Sequence, residues 1–465
     1  MKKSLQSTFL TILFITAITA ISGCSKNAVT PTFIPVPIIN PILSQLSSTS
    51  VIVGGRLSSS SFVTDDGFCY SPTNALPTVN DTFIRDTLSA RWEEKITGLT
   101  PNTTYYVRAY AKSETGTGYS DVITFKTNAT AAVPTGTVTT FAGSAAGTAG
   151  YAEGTGTTAL FDGPQNVAFN AATGKVYVAE SFNNAIRTIT TTGATAVLSK
   201  ATIGYADGNL TTAQFYGPKG LSFDATGNTY LADLGNNVIR KITTTGVVTT
   251  VAGNTIAGFI DGAATKAEFY NPSATAIDAA GNVYVADRTN NLIRKITSAG
   301  VVSTLAGFKA LNGFSQTTVP GYVDGNDPTL SLFNYPVALT LDATGNLYVA
   351  DYKNNAIRKV TPAGVVSTFA GGIYFPALLG NPTGVVLDSQ GNMFISEASG
   401  RIIEITASKV LYVLAGAAKS NGYVNGVGAA ARFNSPQSLT LDGQGNLYVA
   451  DFNNNVIRKI TVAVQ

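Results

Sequence analysis

Residues 217–253 read GPKGLSFDATGNTYLADLGNNVIRKITTTGVVTTVAG, and they decide the fold. GPKGLSFD is an alternating apolar strand, and ATGN after it is a turn in which Gly227 suits a positive φ. TYLAD is the next strand and LGNN a loop. VIRKIT, the turn TTG and VVTTVAG complete the pattern. Four short antiparallel strands joined by tight turns make one small sheet. It needs neighbours on both faces to be stable, which is the logic of a propeller blade.

Working outward, the unit recurs. A proline opens each copy, at Pro164, Pro218, Pro272, Pro336, Pro382 and Pro436, with steps of 54, 54, 64, 46 and 54 residues. The motif YVAD-x-x-NN-x-IRKI stands nearly intact at Tyr284, Tyr348 and Tyr448, and in weaker form at Tyr177 and Tyr230. It closely resembles the NHL repeat, which implies a six-bladed β-propeller over residues 136–465. The last copy ends at its third strand, Val456–Ile460, and the missing fourth strand is expected at the front, in Val138–Gly143. Such an exchange between the two ends closes the ring and removes an open edge. The fifth copy departs most, with Glu397-Ala398-Ser399-Gly400-Arg401 in place of Asp and the paired Asn, and with a shortened preceding loop.

Upstream, residues 38–127 show short alternating strands. Leu99-Thr100-Pro101-Asn102-Thr103-Thr104-Tyr105 resembles the tyrosine corner of fibronectin type III domains, with Tyr105 as the corner tyrosine. The resemblance implies a small β-sandwich whose default role is a spacer. Trp92, placed late, departs from the family pattern. Residues 128–135 (NATAAVPT) read as a linker. The fold class expected is therefore all-β: a six-bladed propeller preceded by a small sandwich.

The first 23 residues read as an export signal, with Lys2 and Lys3 ahead of an apolar run from Phe9 to Ile21. The run ends in Ile21-Ser22-Gly23-Cys24, which resembles a bacterial lipobox and implies lipidation at Cys24. Residues 24–37 would then be a tether on a lipid-anchored envelope protein, with the outer membrane expected. No acidic cluster follows Cys24, which leans toward the periplasmic side. Cys69 is the only other cysteine, so no internal disulfide is expected.

Composition narrows the chemistry. There is no histidine, which removes the usual general base and the commonest metal ligand. A formal charge of +3 without basic or acidic tracts gives no reason to expect nucleic acid. Carboxylates end the second strand of each copy (Glu180, Asp233, Asp287, Asp351, Glu397, Asp451). An arginine follows seven residues later in five of them, so ion pairing or loop capping explains both sets without a ligand. The residues after each opening proline, Gln165, Lys219, Ser273, Val337, Thr383 and Gln437, would ring the channel mouth. They include no carboxylate, so neither metal nor cofactor is expected.

Binding candidates come from the loops between copies. Gly-Tyr-x-Asp-Gly recurs with Tyr151, Tyr205, Tyr322 and Tyr423, whose rings either stack on a ligand or pack on their own blades. The longest connection, residues 308–334, adds Phe308 and Phe314, which have no counterparts elsewhere and either bind or plug the channel. With Lys219 these are the candidate ligand contacts. The leading expectation is a monomeric, non-enzymatic module that binds a protein or glycan. The alternatives are a lactonase- or lyase-like propeller enzyme and a purely structural envelope protein.

Overall fold

The computed structural model describes residues 34–57, 62–86, 91–130, 133–199, 202–312, 315–372, 375 and 378–464. Cys24 and Phe314 lie outside the described residues. The fold is all-β, as the repeats require. Six four-stranded sheets, blades one to six in the order of their opening prolines, are arranged as a ring. The first strand of each blade is innermost. These inner strands neighbour one another in order, and Pro436–Leu441 returns against Pro164–Asn170 to close the circle.

Blade six is built from both ends of the ring. Its outer strand is Pro134–Ala142, antiparallel to Val456–Val464, with Pro134 opposite Val464 and Val138 opposite Ile460. The strand starts two residues ahead of Gly136, because the prolyl segment is already in register with the chain end.

The second strands explain why the repeats read as unbroken apolar runs. Val283–Asp287, Leu347–Asp351 and Leu447–Asp451 are buried at every position, since each blade is covered by neighbours on both faces. One phenylalanine per connecting loop fills the wedge between blades. Phe161, Phe215, Phe269, Phe333 and Phe433 are all fully enclosed, each stabilising its interface by roughly 1.5–3 kcal/mol. Blade five lacks the phenylalanine, and Leu379 is enclosed in its connection.

The same connecting loops cover the outer edges. A two-residue segment of the loop before a blade pairs with that blade's fourth strand: Gly208–Asn209 with Val247–Val248, Gly262–Ala263 with Val301–Val302, and Gly426–Val427 with Thr137–Val138. Blades one and four use single bridges, Thr155 to Ala194 and Gly325 to Val366. The loop before blade five is too short to do this. Its outer strand Val410–Gly416 is covered instead by Leu43–Ser44 of the N-terminal domain, which pairs parallel to Val410 and Leu411. Unpaired edges invite association, and here the second domain supplies the cover.

That domain is a sandwich of two sheets. Pro37–Ile39, Leu43–Ser44 and Arg91–Thr97 pair with Ser50–Leu57 in one; Thr82–Arg85, Asp65–Ser71, Thr104–Ser113, Gly116–Tyr119 and Ile123–Lys126 form the other. The Tyr105 hydroxyl accepts the Thr100 N–H at 3.0 Å, and Leu99 is buried beneath the corner. Val410 and Tyr412 of blade five belong to the sandwich core, and Ile42 to the core of blades four and five. Val133 also packs on the sandwich core. The two domains are thus joined by edge pairing and shared core residues, and pairing over a distance of some 370 residues leaves no local trace in the sequence.

Candidate functional site

The repeated polar residues form a structural staple. In blade two, Asp233 accepts the Tyr216 N–H at 2.8 Å, the Asn236 amide at 2.8 Å and the Arg240 guanidinium at 2.9 Å. Arg240 also reaches Asp207 at 2.7 Å and the carbonyls of Ala206 and Gln214. Its guanidinium lies 5.2 Å from the Tyr205 ring centre and 5.1 Å from that of Phe215. Arg294 and Arg358 repeat the arrangement, Arg458 does so with Asn425 in place of the outer carboxylate, Arg187 stands 3.5 Å from Glu180, and all are equally enclosed. Burial pushes the carboxyls of Asp233, Asp351 and Asp451 up to about 6, against the pull of their arginines and amides.

The paired asparagines divide their work. The first bonds within its blade. The second adopts a left-handed conformation, and its side-chain oxygen accepts the N–H of the residue that leads into the next blade. Asn184 accepts Gly217, Asn237 accepts Asn271, Asn291 accepts Tyr335, Asn355 accepts Asn381, and Asn455 accepts Gly163, all at 2.8–3.1 Å. The loops of this face are thus locked to one another at five of the six junctions, blade five having no such asparagine to offer blade six. The repeat shows the asparagines; their inter-blade role needs the neighbouring blade.

This geometry places the sequence candidates. Tyr151, Tyr205, Tyr322 and Tyr423 each cover the arginine of their own blade. Their hydroxyls bond to the fourth-strand side, at the Ser199 carbonyl, Thr250, Thr368 and Thr140. They are spread around the ring rather than gathered on one surface. Phe308 is half-buried, and the next residue, Lys309, bonds Asp261 of the neighbouring connection at 2.7 Å. The connection contains a hairpin, Lys309–Asn312 with Ser315–Thr318, and none of its residues stands among the described residues that line the channel.

The axial channel is a cavity of about 310 Å³ lined by the inner strands, and its polar groups largely satisfy one another. Ser222 meets Thr275 at 2.7 Å and Asn166 meets Ser438 at 3.0 Å. At the mouth, Ser273 and Thr383 bond the inner-strand carbonyls of the following blades. Two mouth residues differ: Gln165 has its Oε1 buried without a partner among the described residues, and Lys219 is the one cation of the ring. Lys219 is 8% exposed, and among the described residues its ammonium has no hydrogen-bonding or ion-pairing partner. Burial, then the charge of Arg288, holds it down to about 7.

Around this mouth the blades depart from their common pattern. The residue before each opening proline has φ between 50° and 66° in all six blades. It is Gly163, Gly217, Asn271 or Asn381, residues suited to that conformation, in four blades, but Tyr335 in blade four and Ser435 in blade six. The Tyr335 ring lies 4.7 Å from the Arg288 guanidinium and 4.5 Å from the Lys353 ammonium. Tyr352 is 6.4 Å away. One residue further from the proline, Tyr216 and Tyr270 are 49% and 41% exposed. Phe182 and Phe452 meet at 5.5 Å between blades one and six. An aromatic rim with cations on blades two to four therefore surrounds the mouth. The sequence reading found only Lys219; the rest were available as differences between aligned repeats. Among the described residues no metal-holding cluster of His, Cys, Asp and Glu occurs, and no helix is long and apolar enough to cross a membrane.

Comparison with known proteins agrees with the repeats. Residues 269–296, 333–360 and 433–460 match the NHL repeat, each running from the enclosed phenylalanine to the third strand of blades three, four and six. Human Teneurin-4 is 27% identical over 281 residues, which covers 50% of this chain and 10% of Teneurin-4. The chain thus spans about a tenth of the curated relative's length. Two solved structures share the fold over nearly the whole chain. A structural genomics protein of unknown function from Bacteroides thetaiotaomicron is 18% identical with a TM-score of 0.53, covering 93% of this chain and 99% of its own. An auxiliary nutrient binding protein from Bacteroides ovatus is 15% identical with a TM-score of 0.51, covering 92% and 100%.

Proposed function

We propose that this chain is a lipid-anchored, non-enzymatic binding protein of the bacterial cell envelope that captures a glycan or protein on the channel-mouth face. The rim carries this reading: the positions that repetition leaves free of structural duty hold exposed aromatic rings and cations, including a tyrosine kept in a left-handed conformation. Irregularities that cost stability cluster where ligands bind. The locked asparagine loops supply a rigid platform for them. A chain without histidine offers no ordinary general base at this mouth, which favours binding over hydrolysis. The auxiliary nutrient binding protein of Bacteroides ovatus is in keeping with a capture role.

The N-terminal sandwich is read as fibronectin type III-like, on its strand pairing and the Tyr105 corner bond. It holds the ring at a set orientation above an anchor at Cys24, on the periplasmic side of the outer membrane. Two experiments test the reading. Cys24→Ser should move the protein from the membrane to the soluble exported fraction; full membrane retention refutes the anchor. On glycan and peptide arrays, Tyr216→Ala with Tyr270→Ala should weaken whatever the wild type binds by about tenfold or more with an unchanged melting temperature. Undiminished binding by that variant refutes the mouth as the site.

A further inference from the structure

Three departures from the repeat converge on one side of the mouth. After the opening proline, blade two has Lys219 where the others have Gln165, Ser273, Val337, Thr383 and Gln437. In the loop after the second strand, blade three alone has an arginine, Arg288, where blade two has Leu234. Before the opening proline, blade four alone has a tyrosine, Tyr335, and its ring lies against Arg288. Lys219 and Arg288 belong to no hydrophobic core, Tyr335 packs at the edge of the core of blades four and five, and the three lie on successive blades.

Their electrostatics is incomplete. Lys219 lies at a break in strand register, where pairing passes from Pro218 to Leu221, and such bulges re-aim side chains. It is nine-tenths buried and has no hydrogen-bonding or ion-pairing partner among the described residues. The next residue, Gly220, abuts Ser273 and Ala274 of the blade that carries Arg288, and the charge acting on Lys219 is that second cation, whose Nε is buried without a partner among the described residues. The carboxylates of these blades are committed elsewhere: Asp233, Asp287 and Asp351 pair with Arg240, Arg294 and Arg358. Burying a cation beside another is costly unless an anion completes the site.

We propose that Lys219 and Arg288 form an anion subsite at the mouth that holds the carboxylate of an acidic saccharide. The inference rests on the mouth face being the binding face and names the class of ligand. A guanidinium presents paired N–H groups to a carboxylate, while the ammonium adds a point charge. The exposed Tyr216 and Tyr270 rings on the adjoining connections offer flat faces for the sugar rings, which favours a saccharide over an acidic peptide.

The test uses the full chain and an array of matched oligosaccharides: oligogalacturonate, oligoglucuronate, alginate and sialylated glycans, their methyl-esterified forms, and neutral cello- and malto-oligosaccharides, with hexaglutamate as the peptide arm. Binding should concentrate on the free carboxylates, fall about tenfold or more on esterification, fall likewise in Lys219→Met, and be retained in Lys219→Arg. Lys219→Met should melt at or above the wild-type temperature, because it removes an unpaired buried charge, so lost binding cannot be ascribed to misfolding. Equal binding of esterified and free forms, with sensitivity to Tyr216→Ala, overturns the anion subsite and leaves the binding face standing. Binding confined to hexaglutamate overturns the saccharide assignment. Absence of carboxylate-dependent binding across the array overturns the inference.

Discussion

Arg240→Met isolates the staple that every blade but the fifth repeats. The substitution keeps an unbranched apolar stem and removes a guanidinium with no exposed surface. Asp233 is then left enclosed with only the Tyr216 N–H and the Asn236 amide, and Asp207 loses its partner at 2.7 Å. Leaving one charge of a buried pair uncompensated costs about 3–5 kcal/mol. For a domain this large that lowers the melting temperature by on the order of 10 °C. The pH dependence has a definite sign. Burial already pushes the Asp233 carboxyl up to about 6, above its unfolded value, so the folded state binds the extra proton and is relatively favoured at low pH. Removing Arg240 raises that carboxyl further. The deficit of the variant should therefore be smaller at pH 5 than at pH 7.5. Adding Asp233→Asn removes the stranded charge and keeps an acceptor for Tyr216, recovering roughly half the loss in a double-mutant cycle. Arg401→Met in blade five is the internal control. That arginine is partly exposed and has no aromatic sandwich, so its loss should cost distinctly less. The assay is chemical and thermal denaturation of all four variants. An Arg240→Met protein that melts within about 2 °C of wild type, or a double variant no better than the single, refutes the staple.

Deleting residues 134–142 removes the outer strand of blade six; a lower melting temperature and concentration-dependent association are expected by calorimetry and light scattering, and a monomeric product with the wild-type temperature contradicts the closure. Removing residues 1–130 strips the cover from Val410–Gly416, so the isolated ring should associate more readily than the full chain in sedimentation, and equal behaviour of the two would show that this edge needs no cover. Cys69 is enclosed, and burial pushes its thiol up to about 12, so native protein at pH 8 should resist iodoacetamide while unfolded protein reacts fully; prompt native alkylation contradicts that burial. Lys219 is held below its unfolded value, so its charge penalises folding less as pH rises from 7 toward 10; the stability advantage of Lys219→Met should shrink over that range, and a constant gap contradicts the unpaired charge.

Repetition made the propeller legible, because each copy states its strands, turns and closing partner in the same order. The Asp224 turn shows how far local chemistry reaches: its carboxylate accepts the Thr226 and Asn228 N–H groups, and Gly227 takes the positive φ. The short loop before blade five was equally visible, but not its consequence. That an uncovered outer strand would be covered by Leu43–Ser44 depends on where a separate domain comes to rest. The same holds for the site. Lys219, Arg288 and Tyr335 stand far apart in the sequence on three blades, and each looks like an isolated irregularity until the ring brings them together. The repeated tyrosines were legible as a set, but their shared contact, each ring over the arginine of its own blade, needs the folded blade.

Tyr335 joins these two lessons. A left-handed conformation costs a side chain with a Cβ about 1–2 kcal/mol, and the five equivalent positions are Gly, Asn or Ser. The bond from its N–H to Asn291 holds the backbone there regardless of side chain, as the same bond does for Gly217, Asn271 and Asn381. The conformation is therefore set by the backbone bond, while the ring packs at the edge of the core of blades four and five. The ring also gives Arg288 and Lys353 a common face, keeping two cations at the mouth that would otherwise repel each other into solvent. Tyr335 thus joins the packing of blades four and five to a ring face that two cations share at the mouth. The economical explanation is an anion received between blades two and four, on a platform that the copied residues hold rigid.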